Sequence, residues 1–220
     1  IDFYKDDLIS KQKSNSNQLP IGWIWARTVP SPDPSMGGIQ VPITSTFALS
    51  TKKGKEAWLS PNVNKASKEI KFEVKTSGTT TEFEKAKEGT KMGRGANFIC
   101  LLSGAAIDKQ YIKDQASIGK MGNKLLAVVY ERKGGRTYIS PDNYKIEFSE
   151  KFKYEFDFDI NLPKHPQYIG VLGYGFKTLK DLFSKRQRAI LNTFIKIIDE
   201  TSKKVNSDAI NAGLIEGELG

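Results

Sequence analysis

Between residues 41 and 140 apolar and polar side chains alternate in short runs separated by glycine-, proline- or lysine-rich breaks, and this pattern commits the region to antiparallel β-structure. In EIKFEVKT (69–76), Ile70, Phe72 and Val74 share one face while Lys71, Glu73 and Lys75 share the other, the mark of a half-buried strand. VPITSTFALS (41–50), the turn TKKGK (51–55) and EAWLSPNV (56–63) precede it, so the sequence predicts a meander. The clearest hairpin follows: LLAVVYER (125–132), a KGGR turn in which Gly134 and Gly135 supply positive φ, then TYIS (137–140).

The remaining segments fit around this region. Residues 1–20 are polar and read as a flexible lead-in, and IGWIWARTV (21–29) carries enough bulky residues for a buried strand. Three prolines in PSPDPSMGG (30–38) force a loop or knuckle. The stretch 77–95 lacks a sustained period and reads as a long exposed loop. Apolar pattern returns at 96–107, and DKQYIKDQAS (108–117) suggests a short polar helix or turn. Beyond residue 143 the aromatic–charged alternation of 144–160 predicts one more strand, followed by a Pro/Gly-rich crossing at 161–176. Ser184 and Gln187 then form a capping-box pattern that opens a helix expected to run to about residue 204. Gln187, Ile190, Leu191, Phe194, Ile198 and Val205 lie on one face of that helix, which is expected to pack on a core, and a separate helix could begin at Ser207. The expected fold class is α+β: mostly antiparallel hairpins over 21–143, then a C-terminal region over 144–220 ending in an amphipathic helix.

Sparse chemistry narrows the functional classes. Cys100 is the single cysteine and His165 the single histidine, which excludes an intramolecular disulfide, a four-cysteine zinc site and a histidine cluster. No nucleophile elbow, Walker loop, dinucleotide fingerprint or Asp-rich metal loop is present. Gly173 and Gly175 resemble half of a dinucleotide fingerprint but lack its strand and helix, and His165 reads as a surface residue with no orienting partner. No apolar run is long enough to span a bilayer and no signal peptide opens the chain, so the expected location is cytoplasmic. An opening at Ile1 and a close at LIEGELG suggest a fragment of a larger protein.

Charge supplies the positive evidence. The net charge is +9, and two β-rich windows, 51–75 and 108–136, hold most of it, each with seven basic residues against three acidic. Hairpin tips carrying TKKGK and ERKGGR would bring Lys and Arg to phosphates, giving salt-sensitive affinity with little sequence information. Solvated turns are the alternative from charge alone. Stacking of single-stranded RNA on Trp23, Trp25 and Trp58 is a weaker reading, because tryptophans in strand patterns belong in a core.

Five blocks carry a resemblance: WARTVPSPDPSMGG, STKKGKEAWLSPNV, GRGANFICLLSGAAIDKQYIK, IGKMGNKLLAVVYERKGGRTYISP and GYGFKTLKDLFSKRQRAILNTF. Their order over about residues 21–196 resembles a family of large adenine-specific DNA methylases with a zinc-ribbon insertion. In that family the blocks lie between a cofactor-binding segment and a DPPY catalytic segment, and neither segment is in this chain. The resemblance implies an S-adenosylmethionine-dependent adenine-specific methyltransferase as parent, with this stretch its non-catalytic, DNA-contacting insertion. No cofactor is then expected in this chain. The implied partners are double-stranded DNA and the remaining methyltransferase domains, with no membrane. Lys52, Lys53, Lys55, Arg94, Lys120, Lys124, Arg132, Lys133 and Arg136 are the candidate DNA-backbone contacts. A structural or interaction module bracing a larger protein, without nucleic-acid contact, is the alternative.

The chain departs from the family at the metal. By position the family's two cysteine pairs fall on Ser31 and Met36 and on Cys100 and Ser103, so one thiol of four remains. Serine and methionine are poor zinc ligands, and the resemblance therefore implies a degenerate ribbon in which packing replaces the metal and Cys100 is a small buried hydrophobe.

Overall fold

A computed structural model describes residues 20–143, 160–164 and 170–214. The aromatic stretch 144–159 and His165 lie outside the described residues, as does the lead-in up to residue 19. The chain divides into two compact units, one of residues 1–148 with 173–175, the other of 149–172 with 176–220.

The first unit is β-rich, and its strands pair antiparallel. Strands β1 (Pro20–Pro30), β2 (Gln40–Ile43), β8 (Gly122–Arg132) and β9 (Gly135–Ile139) form a four-stranded sheet ordered β2-β1-β8-β9. A three-stranded sheet joins β3 (Ala48–Ser50), β4 (Ala57–Asn64) and β5 (Glu69–Lys75), and β6 (Phe98–Ile99) pairs with β7 (Ala106–Ile107). Helix α1 (Thr80–Glu88) follows β5, and α2 (Lys109–Ser117) lies between β7 and β8.

The alternation in β5 does what its pattern requires: Ile70 and Phe72 are buried while Glu69, Lys71 and Glu73 are exposed. Phe72 packs 5.7 Å from Phe47, ring centre to ring centre, in a core that includes Val29, Val41, Leu59, Leu102, Ile107, Ile112 and Leu126. Pro61 in β4 lies past the two residues paired with β3, where the strand has become an edge that tolerates a missing donor. Strand β1 pairs with β8 across a long sequence gap, Trp23 opposite Val128 and Ile24 opposite Ala127. At the end of β1 the Tyr111 hydroxyl of α2 donates to the Pro30 carbonyl at 3.0 Å.

Three expectations need correction. Residues 77–95 are not all loop: α1 forms behind a capping box in which the Glu82 N–H donates to Thr79 Oγ1 and the Thr79 N–H to Glu82 Oε2. Its charged surface hides the period, and Phe83, 5.6 Å from the Trp58 ring, and Ala86 are what it turns to the core. The stretch 41–50 is two strands in different sheets, because the chain turns at Thr44–Thr46 and Thr90 ties that turn down. The Thr44 N–H donates to Thr90 Oγ1 at 3.0 Å, and the Thr90 N–H donates to the Thr44 carbonyl at 2.9 Å.

The third correction concerns the C-terminal helix, α3 (Lys185–Asn211), which absorbs the separate helix expected from Ser207. The Ser184–Gln187 capping box opens it as the sequence predicts. Its apolar face is not buried along its length: Phe194, Ile198 and Val205 are 58%, 67% and 62% exposed. In the same unit a bridge pairs Asn161 with Thr178, and the Asp181 carboxylate accepts the N–H groups of Lys177 and Thr178, each at 2.9 Å. The α+β reading holds, with antiparallel hairpins first and the amphipathic helix last.

Candidate nucleic-acid interface

The two basic tips predicted by the sequence are brought together. Thr51–Lys55 between β3 and β4 is exposed at every residue, and the Lys55 N–H closes the turn on the Lys52 carbonyl at 2.8 Å with Gly54 at φ +72°. Glu131–Arg136 at the tip of the β8–β9 hairpin is equally exposed, Glu131 opposite Arg136 and Arg132 opposite Gly135. Gly134 and Gly135 adopt φ +107° and +133°, which side chains rarely tolerate. The Lys55 ammonium crosses from one turn to the other and donates to the Gly134 carbonyl.

Two deeper ties hold the hairpin in that position. The Lys124 ammonium donates to the Ile70 carbonyl at 2.6 Å, and the Val74 N–H donates to Ser140 Oγ at 2.8 Å. Strand β5 is thus fastened to β8 near its start and to the residue after β9, so the tip has little choice of direction. The result is one exposed surface bearing Lys52, Lys53, Lys55, Arg132, Lys133 and Arg136, with Glu56 and Glu131 as its acidic neighbours.

The other candidates do not join it. Lys124 is half-buried, its ammonium over the Phe72 ring at 5.9 Å and hydrogen-bonded to Ile70. Burial lowers its pKa, partly opposed by Asp142 and Glu69. It is a strut between sheets, away from the exposed tips. Lys120 is exposed but precedes β8, whose eleven residues separate it from Arg132 by roughly 35 Å at the usual strand rise. Its carbonyl accepts from Gln40 Nε2 at 3.1 Å, and Gln40 Oε1 accepts from the Thr28 hydroxyl at 2.6 Å. Arg94 is exposed in a loop between Gly93 and Gly95, where its carbonyl accepts from Asn97.

No aromatic residue occurs in either tip, so the surface offers charge without a stacking platform. Trp58 is in the core, as its strand pattern predicts. Gly173 lies in the short 3₁₀ turn Gly170–Tyr174, with Gly175 at φ +80° just beyond it, which is loop geometry.

The four positions that the resemblance assigns to zinc can also be placed. Ser31 Oγ and Cys100 Sγ are 3.4 Å apart and buried, the Ser103 N–H points at the sulfur, and Met36 packs against the core. One thiol, one thioether and two hydroxyls do not make a tetrahedral zinc site, and no group of three or more His, Cys, Asp or Glu side chains fit to hold a metal occurs among the described residues. Among those residues no helix is long and apolar enough to cross a membrane. Comparison with family models, with curated proteins and with solved structures finds no match in any of the three.

Proposed function

We propose that the chain is the non-catalytic, DNA-contacting insertion of an adenine-specific, S-adenosylmethionine-dependent DNA methyltransferase, whose other domains carry the cofactor and the chemistry. The observation that carries DNA contact is the merging of two basic turns, far apart in sequence, through Lys55 and Gly134. Five exposed cations besides Lys55 can reach a polyanion there, and each phosphate neutralised releases a counterion. Because the tips lack aromatic side chains, they suit the sugar–phosphate backbone of a duplex rather than unstacked bases. The methyltransferase parentage rests on the five ordered sequence blocks.

Fluorescence anisotropy with a labelled duplex and with its single strand at low salt tests this reading. Tighter binding to the duplex is expected from its higher charge density. Tighter binding to the single strand, or no binding to either, would overturn it.

A second reading, a module that braces the rest of a larger protein, is favoured by the exposed stripe of Phe194, Ile198 and Val205 on α3. Capture of the parent's methyltransferase domains in the absence of DNA, lost on changing Phe194 and Ile198 to Ser, would favour it over DNA contact.

A further inference from the structure

Two turns from distant parts of the chain are alike in outline: each is closed by the N–H of its leading residue and contains a glycine at positive φ, the first spanning nine residues and the second six. In the first, the Ser31 N–H donates across the loop to the Ile39 carbonyl at 2.8 Å, and the turn holds Gly37, with φ +64° and its N–H on the Pro34 carbonyl at 3.0 Å. In the second, the Cys100 N–H donates to the Ala105 carbonyl at 2.8 Å, and the turn holds Gly104, with φ +77° and its N–H on the Cys100 carbonyl at 2.8 Å. Each turn therefore reverses the chain around its leading side chain and needs a glycine to do so.

The leading side chains meet. Ser31 Oγ lies 3.4 Å from Cys100 Sγ, the two residues being 5% and 1% exposed. The sulfur also receives the Ser103 N–H at 3.5 Å. Burial alone would push the Cys100 thiol up. Hydrogen bonds from the side chains of Ser103 and Ser31 and the backbone of Ser103 and Leu102 outweigh it and hold the pKa below the ordinary thiol value. Such a cage of donors is what a metal-bound thiolate uses, yet it surrounds one thiol with no second soft anionic ligand near enough to share a cation.

We infer that the Ser31–Cys100 hydrogen bond is a metal-free cross-link. It joins the two turns at the point where the resemblance would put zinc, so the chain folds without the metal. Three consequences follow for the full chain. Its thermal midpoint does not change between chelator and added Zn²⁺, whereas a midpoint lowered by chelator would overturn the inference. Ser31→Ala removes the bond to Cys100 together with the acceptor that Ser31 Oγ offers the Asp33 N–H at 3.3 Å, and lowers the midpoint by about 2–4 °C or more with or without metal; an unchanged midpoint would overturn the inference. The variant carrying Ser31→Cys, Met36→Cys and Ser103→Cys takes up one equivalent of Co²⁺ with the visible bands of tetrahedral thiolate coordination. A folded variant that binds no Co²⁺ would overturn the placement of the cross-link at the zinc position. If that variant folds neither with nor without Co²⁺, the chelator and Ser31→Ala results decide.

Discussion

The ammonium of Lys55 donates to the carbonyl of Gly134, joining turns that belong to different sheets and stand 79 residues apart. This bond fixes the tip of the β8–β9 hairpin against the β3–β4 turn, and it removes Lys55 from the set of free cations. Lys55→Met is expected to speed amide exchange at Lys133–Gly135 while changing global stability by no more than about 0.5 kcal/mol, because the site is exposed and water replaces the donor. Unchanged exchange at the tip would show that Lys55 does not brace it.

Lys124 differs from the other candidates because it faces inward. Lys124→Met is expected to leave the salt dependence of DNA binding unchanged. Burial depresses its folded pKa below the unfolded value, so between those two values the unfolded chain binds more protons than the folded one. Stability attributable to Lys124 therefore rises with pH as it climbs from the folded pKa toward 10.5, and denaturant melts of wild type against Lys124→Met across that range measure it. A difference that falls with pH would contradict the inward placement.

Gly89 is held by its surroundings as well as by its backbone. At φ +60° a Cβ there would come within 2.6 Å of the Thr44 carbonyl and the Thr46 nitrogen, both main-chain atoms that cannot swing away. Gly89→Ala is expected to cost about 2–4 kcal/mol, whereas Gly134→Ala, with open space around it, costs only the backbone strain of about 1–2 kcal/mol. Equal losses in denaturant melts would contradict the packing around Thr44–Thr46.

The stripe on α3 makes an opposite kind of prediction. Phe194→Ser and Ile198→Ser should each change the stability of the isolated chain by less than about 0.5 kcal/mol, since the side chains are mostly exposed. A loss above about 2 kcal/mol in a thermal or chemical melt would show that this face is covered after all.

The sequence carried local information well and long-range information poorly. Strand β5, the Gly134–Gly135 hairpin and the Ser184–Gln187 cap are legible because each depends on residues within a few positions of one another. Helix α1 was missed: its Thr79–Glu82 cap is local, but its charged surface masks a short apolar face of Phe83 and Ala86, and the segment reads as loop. The pairing of β1 with β8 and the convergence of the basic turns were not legible, since nothing near Lys55 names Gly134 as its partner. Lys124 shows the same limit: a lysine in a strand reads as surface, and only the stacking of β5 against β8 turns it into a strut.

The central claim is that the two turns act as one surface on a polyanion. The most direct test is the slope of log affinity for duplex DNA against log salt. With Lys52, Lys53, Arg132, Lys133 and Arg136 as contacts, a slope of about −4 to −5 is expected. Changing Lys52 and Lys53 to Ala, or Arg132 and Lys133 to Ala, should flatten it by about 2 each, and the four changes together by about 4. Affinity indifferent to salt, or a slope that responds to one turn and ignores the other, would contradict the account.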